Sequence, residues 1–206
     1  MKYLLGILLL IFTACGGDRN IETKKDEVLK VALANKPRSF DPQKNTDSST
    51  LAVTKQIYNN LFSLGENGEI ILELVESYEI EKDNSIILQL KKGIFFHDGN
   101  ELTAEDVKKS LERNLDIPVS RILVESIEKI EVLDKYRLKI VQKNSPSILI
   151  HNLAHSSTAI VKEIKTDSDI DLIGTGAYKI KDWSLSERIS LESFDKYYEK
   201  LQRLKR

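Results

Sequence analysis

The fold of this chain is decided by the stretch LQLKKGIFFHDGNELTAEDVKKSL, residues 88–111. It begins as an apolar strand, turns at Asp98-Gly99 and opens a helix at Thr103. The Thr103 hydroxyl can accept a hydrogen bond from an early helical amide, and Asp106 can return a bond to the Thr103 backbone, which is the pattern of a capping box. The stretch therefore predicts a strand, a turn and a capped helix, in that order.

The predicted helix carries its apolar residues on one face, and a hairpin is predicted on each side of it. The apolar positions at helical spacing are Ala104, Val107, Leu111 and Leu115. Pro118 is predicted to end the helix. The first hairpin joins residues 77–81 to 86–90, and the second joins 127–132 to 136–141 through Asp134-Lys135.

Shorter patterns predict the remaining elements. These are a buried first strand at 27–34, a helix at 48–61 that Asp47 or Ser48 caps, a short helix at 146–154, and strands at 178–183 and 188–192. Asn67-Gly68 predicts a tight turn, and Gly174-Thr175-Gly176 predicts a flexible turn. Hairpins dominate over strand–helix–strand units, so the predicted fold class is α+β.

Composition narrows the class of protein. The 206 residues carry 31 basic and 32 acidic side chains, a formal net charge of -1, which gives no reason to expect nucleic acid as a partner. The single cysteine, Cys15, excludes an intramolecular disulfide and a zinc site built on several cysteines.

The N-terminus has the pattern of an export signal. Lys2 precedes an apolar run at 3–12, about half the length that a membrane-spanning helix needs, and small residues follow it. A cysteine at that junction resembles the lipobox of bacterial lipoproteins, with Phe12 in place of the usual aliphatic residue. We expect residues 1–14 to be a signal peptide, Cys15 to carry the lipid and 15–26 to be a flexible tether. An ordinary secretory signal with an incidental cysteine is the alternative.

Six segments of the mature chain match one family in order. They are Ser39–Pro42, Ile57–Phe62, Gly68–Glu79, Leu88–Gly99, Leu102–Leu111 and Gly174–Trp183. With F-H-D-G followed by L-T-A-E-D-V, the chain resembles the extracytoplasmic solute-binding proteins of bacterial oligopeptide, dipeptide and nickel importers. The chain departs from the family pattern at three positions. Leu72 stands near a proline of the family pattern, Tyr78 replaces the family's tryptophan, and Ala177 replaces the proline of G-T-G-P-Y.

This resemblance implies both a fold and a function. Residues 27–206 are expected to form the mixed-sheet first lobe of a periplasmic-binding-protein-like clamshell, truncated before the second lobe. The implied protein is an extracytoplasmic lipoprotein, not an enzyme, that captures peptides for the permease subunits of an ABC importer and needs no cofactor. Nickel or another small solute is the alternative within the family. A lone-lobe interaction lipoprotein or a non-functional fragment is the alternative outside transport.

The resemblance also implies a ligand-binding loop. In oligopeptide-binding relatives the loop after S-L-D-P lines the cleft and pairs with the peptide backbone, which maps to Asn45, Thr46, Asp47 and Ser48 here. The competing interpretation is that this loop only caps the next helix.

Other candidate sites have plainer interpretations. His97-Asp98 offers an acid–base pair, but Gly99 favours a turn, and no catalytic residue is expected. His151 and His155 have the i, i+4 spacing of metal ligands without the glutamate of a metalloprotease motif, and packing is preferred. Four aromatic residues form either a ligand platform or, as we expect, part of the core. They are Phe95, Phe96, Tyr178 and Trp183.

Overall fold

The computed structural model describes residues 28–35, 37, 39–165, 170–184 and 188–199. The chain divides into two compact units, residues 1–32 and 33–206, and every helix and strand of the described residues belongs to the second. None of the helices in the described ranges is long and apolar enough to cross a bilayer. The predicted signal peptide and Cys15, which is expected to carry a lipid, lie outside the described residues.

The second unit alternates hairpins with short helices. The helices are α1 (Ser48–Ile57), α2 (Ala104–Asp116), α3 (Pro118–Val124) and α4 (Pro146–Asn152), with 3-10 turns at Pro42–Lys44 and Ser156–Thr158. The strands are β1 (Phe62–Leu64), β2 (Ile70–Leu72), β3 (Val75–Ile80), β4 (Ile86–Leu90), β5 (Ile127–Asp134), β6 (Arg137–Gln142), β7 (Lys162–Lys165), β8 (Ile170–Ile173), β9 (Tyr178–Ser184) and β10 (Arg188–Ser193). This mixture of helices and hairpins confirms the α+β class.

The largest sheet has four strands in the order β3-β4-β6-β5, and each described pair is antiparallel. Residues of β4 alternate between the two faces, with Ile86, Leu88 and Leu90 fully buried and Ile87 and Gln89 half-buried. Helix α2 packs against β5 and β6. Both predicted hairpins are therefore confirmed, and their shared inner face forms the main core.

Helix α2 begins with the predicted capping box. The Thr103 hydroxyl accepts from the Asp106 amide at 3.4 Å, and the Thr103 amide donates to the Asp106 carboxylate at 2.9 Å. The helix ends at Asp116, as predicted. Pro118 also begins α3, which the sequence analysis missed, because a proline at the first helical position gives up no hydrogen bond.

Two apolar clusters hold the unit together. The main cluster lies between the four-stranded sheet, α2 and α4 and includes Leu61, Phe62, Phe96, Leu111 and Leu149. The smaller cluster is built on α1 and the ends of neighbouring loops: Phe40, Val53, Ile57, Tyr58, Ala159 and Val161. Half-buried residues of β8, β9 and β10 pack against the smaller cluster, so the C-terminal hairpins attach to α1.

The predicted first strand is wrong for the described residues. Residues 28–34 belong to no strand, and Val28, Leu29 and Val31 are 72%, 69% and 72% exposed. A strand makes its backbone hydrogen bonds with a neighbouring strand, and none of the described strands pairs with this segment. An apolar run predicts burial only where such a neighbour is present.

The segment Gly174–Gly176 is a site of close packing rather than the predicted flexible turn. The Gly176 amide donates to the Ile57 carbonyl at 2.8 Å, at the end of α1. A Cβ on Gly174 would lie 2.1 Å from the Ile57 carbonyl oxygen, and one on Gly176 would lie 2.5 Å from the Gln56 carbonyl oxygen. Both glycines are therefore needed because two backbones meet here.

Candidate functional site

The predicted ligand loop, residues 45–48, joins a 3-10 turn to α1. Asp41 caps that turn by accepting from the Gln43 amide at 3.1 Å, and the Asn45 side chain donates to the Asp41 carbonyl at 3.0 Å. Asp47 caps α1 by accepting from the Thr50 amide at 2.9 Å. Thr46 and Ser48 are exposed. The capping interpretation is thus confirmed for Asp47, and the other three residues do not cap α1 with a side chain.

A second segment, residues 155–158, lies beside this loop. The Ser157 hydroxyl donates to the Asn45 carbonyl at 3.4 Å. The His155 Nδ1 atom accepts from the Ser157 amide at 3.1 Å, and the His155 carbonyl accepts from the Asn60 side chain at 2.7 Å. His155 therefore shapes a turn. No group of three or more histidine, cysteine, aspartate or glutamate side chains in the described residues is arranged to hold a metal.

A buried polar network lies beneath the loop, and its centre is Gln43. This side chain is fully buried, and the two hydrogens of its Nε2 atom are shared among four acceptors on α2 and on the chain before β7. Those acceptors are the Ser110 hydroxyl at 3.2 Å, the Ser110 carbonyl at 3.3 Å, Asn114 Oδ1 at 3.1 Å and the Ala159 carbonyl at 3.1 Å. Buried polar groups are tolerated when they are paired in this way, and such networks rigidify their surroundings.

Arg113 of α2 connects this network to the start of the loop. Its Nη2 and Nη1 atoms donate to the two oxygens of Asp41 at 2.6 and 3.2 Å, and Nη1 also donates to Gln43 Oε1 at 2.6 Å. Its Nε atom donates to Glu163 of β7 at 2.8 Å. Burial alone would lower the pKa of Arg113, but Asp41 and Glu163 outweigh burial and raise that pKa, so the guanidinium stays charged.

A second polar cluster lies at the end of α1, and the sequence analysis missed it. Asn59 donates to Glu73 at 2.6 Å and accepts from the Thr175 hydroxyl at 3.0 Å, and the Asn60 amide donates to Glu73 at 3.2 Å. Burial raises the pKa of Glu73 above its usual value, although Asn59 and Asn60 oppose that shift. These hydrogen-bonded partners lie up to 116 residues apart in the sequence, so no local sequence pattern predicts the cluster.

His97 and Asp98 do not form an acid–base pair. The His97 amide donates to the Gly174 carbonyl at 3.0 Å, and its ring Nε2 atom donates to the Gly176 carbonyl at 3.1 Å. Asp98 instead pairs with Lys162 at 2.8 Å. Burial lowers the pKa of His97, so its ring is neutral near pH 7. The predicted turn interpretation holds, since each side chain fixes a different loop.

The aromatic candidates divide between core and surroundings. Phe96 is fully buried in the main cluster, as predicted for a core residue. Phe95 and Tyr178 are half-buried, and the side chain of Trp183 lies outside the described part of the chain. The described residues therefore do not assemble these four rings into one ligand platform.

Two cavities among the described residues are small or open. One of about 10 Å³ lies between Pro42, Tyr58 and Ser156, with room for no more than a water molecule. The other, about 240 Å³, is an open trough on the outer face of the large sheet, beside Gln89 and Arg137. Pockets that enclose a ligand of drug size span roughly 300–1,000 Å³. Neither cavity therefore encloses such a ligand.

Known proteins are similar to this chain in both sequence and fold. The glutathione-binding protein GsiB of Pectobacterium atrosepticum is 31% identical over 183 residues, which cover 84% of this chain and 35% of that protein. NikA from Staphylococcus aureus, solved with Ni(L-His)2, has a TM-score of 0.67 at 31% identity and covers 78% of this chain and 34% of its own. AppA from Bacillus subtilis, an oligopeptide-binding protein solved with a nonapeptide, has a TM-score of 0.66 at 26% identity, covering 77% and 34%.

The chain thus spans about a third of the length of these relatives. Two of the three are named as binding proteins and the third was solved with Ni(L-His)2 bound, so the expected resemblance is confirmed. The family model for the bacterial extracellular solute-binding proteins, family 5 Middle, matches residues 69–206, which is more than half of the sequence. The chain therefore belongs to the bacterial extracellular solute-binding proteins of family 5.

Proposed function

We propose that this chain supplies the first lobe of an extracytoplasmic protein that captures peptides for the permease of an ABC importer. The observation that carries the proposal is the backbone of the loop at 45–48. Asn45 (φ -129°, ψ 146°) and Asp47 (φ -73°, ψ 143°) are both extended. Extended backbone can pair with an extended peptide through main-chain hydrogen bonds, a mode that accepts many different side chains.

The surroundings of the loop support the same function. Asn45 is held on one side by Asp41 and on the other by Ser157, while Thr46 stays exposed between the two capping residues. A loop that is ordered before binding loses less conformational entropy when the ligand arrives. Two of the similar proteins are described with peptide ligands, a nonapeptide and the tripeptide glutathione.

The test removes one backbone donor from the loop. Thr46→Pro deletes the amide of residue 46, and the extended Asn45 before it is compatible with a following proline. Thr46→Ala keeps the amide and is the matched control. In calorimetric titrations with tri-alanine, we expect Thr46→Pro to bind about tenfold more weakly, as one lost hydrogen bond implies, and Thr46→Ala to bind like the unmodified chain.

Two results would contradict peptide capture at this loop. One is equal peptide affinity in both variants with unchanged melting curves. The other is heat of binding with Ni(L-His)2 but none with tri-alanine, glutathione or a nonapeptide, which would favour the small-solute alternative. If none of these probes gives a heat of binding, peptide capture also fails, and the lone-lobe interaction protein becomes the better description.

We propose in addition that Cys15 carries a lipid anchor, which the cysteine after a short apolar run supports. Stable anchoring to a membrane takes more than one acyl chain, and a lipidated cysteine of this kind supplies them. The variant Cys15→Ala is expected to leave the membrane fraction of cells that express it, and its retention there would count against the anchor.

A further inference from the structure

Asn45 is held from two sides by consecutive residues of α2. On one side, Arg113 binds both oxygens of Asp41, and the Asp41 carbonyl accepts from the Asn45 side chain. On the other side, Asn114 donates to the Ser157 carbonyl at 2.8 Å, and the Ser157 hydroxyl donates to the Asn45 carbonyl. The ligand loop is thus attached to α2 through two short chains of hydrogen bonds.

The Arg113 arm is the stronger of the two. Its bonds to Asp41 are charge-assisted and bidentate, which is the strongest and most directional kind of side-chain pairing in proteins. The two side chains are only 17% and 9% exposed, so solvent screens their attraction little. A third bond reaches Gln43 and a fourth reaches Glu163, so the guanidinium is fixed in one orientation.

We infer that Arg113 is a positioning residue for ligand binding: it sets the backbone of residues 45–48 through Asp41 without touching the ligand. The inference rests on the proposed function of that loop. Lysine cannot replace arginine here, because a single ammonium cannot reproduce the fork to Asp41 and the bonds to Gln43 and Glu163 together. The residue acts on affinity through the geometry of the loop, beyond any effect on stability.

The experiment compares Arg113→Lys with a variant that weakens the main core instead, using the full chain. Ile140→Val removes one buried methylene group from β6 in the main core, outside the two chains of hydrogen bonds that hold the loop, and is mildly destabilising. Two quantities are measured well below each melting temperature: tri-alanine affinity by calorimetry and amide hydrogen exchange of residues 45–48. We expect Arg113→Lys to weaken binding about tenfold and to speed exchange in the loop. We expect Ile140→Val to change neither.

A milder variant guards against loss of folding. Glu163 is 51% exposed, so Glu163→Gln removes one charged partner of Arg113 while the fold is retained, and a smaller change in the same direction is expected. The inference is overturned if Arg113→Lys and Glu163→Gln leave both readouts at the level of Ile140→Val. If the unmodified chain binds no tested peptide, the proposed function fails, and the exchange of residues 45–48 still decides whether Arg113 orders the loop.

Discussion

At the scale of single residues, His97 shows how burial sets charge in this protein. Its ring donates to the Gly176 carbonyl and lies edge-on to Phe194, with ring centroids 5.1 Å apart. Burial lowers its pKa first, Lys179 lowers it further, and the Gly176 carbonyl and Asp98 oppose the shift. The folded protein therefore holds this ring neutral at a pH where the unfolded chain already binds a proton.

The sign of the resulting pH dependence follows from proton binding. Between the lowered folded pKa and the ordinary value of 6.5, the unfolded chain carries more protons, so the free energy of unfolding falls as the pH falls. We expect His97→Gln, which keeps an amide donor, to lose less stability than the unmodified chain between about pH 7.5 and about pH 5 in urea titrations. The exposed His151→Gln is the control and should keep the full loss. Equal slopes in all three proteins would contradict the prediction.

At the scale of elements, the local patterns were the reliable ones. A few adjacent residues determine the capping box of α2 and the turns of the β3–β4 and β5–β6 hairpins. The sequence predicts all three features. The prediction of a first strand was wrong because a strand is stable only when it pairs with a neighbouring strand, which a local pattern does not reveal. Strands β7 and β8 were missed because four residues are too few to show a period.

The candidate site was even less accessible to local reasoning. Residues 45–48 were chosen through the family resemblance, and the sequence alone left capping as an equal explanation. The contacts of Gln43 with α2 join residues 67 to 71 positions apart, so neither spacing nor composition reveals them. The sequence predicts flexibility at Gly174 and Gly176, but glycine also serves where two backbones approach closely, and only the packing against α1 shows that the second role applies.

That close packing between elements supports a direct prediction. Gly176→Ala places a methyl group 2.5 Å from the Gln56 carbonyl oxygen, so the C-terminal hairpin must move away from α1. We expect a loss of about 3 kcal/mol in unfolding free energy, measured by urea titration, as for other overpacked sites. Gly65→Ala is the matched control, because the atoms nearest to its new methyl group belong to the flexible carboxylate of Glu69, which can turn aside. Similar losses in both variants would contradict this account of the contact.

At the scale of the whole molecule, the proposed function gives this chain one face of a binding site. It spans about a third of the length of its relatives, and neither of the two cavities described above encloses a ligand of drug size. A ligand on one lobe keeps its other face in water, so much of the apolar burial that drives tight binding is missing. We therefore expect this chain by itself to bind peptides with a Kd in the micromolar range or weaker.

The most direct test of peptide capture at the 45–48 loop is an NMR titration of the ¹⁵N-labelled chain with tri-alanine. The account predicts shifts confined to residues 45–48 and 155–158, with weak affinity, and unchanged signals at Gln89 and Arg137 on the outer face of the sheet. Shifts centred on that outer face, or no shifts at saturating peptide, would contradict it.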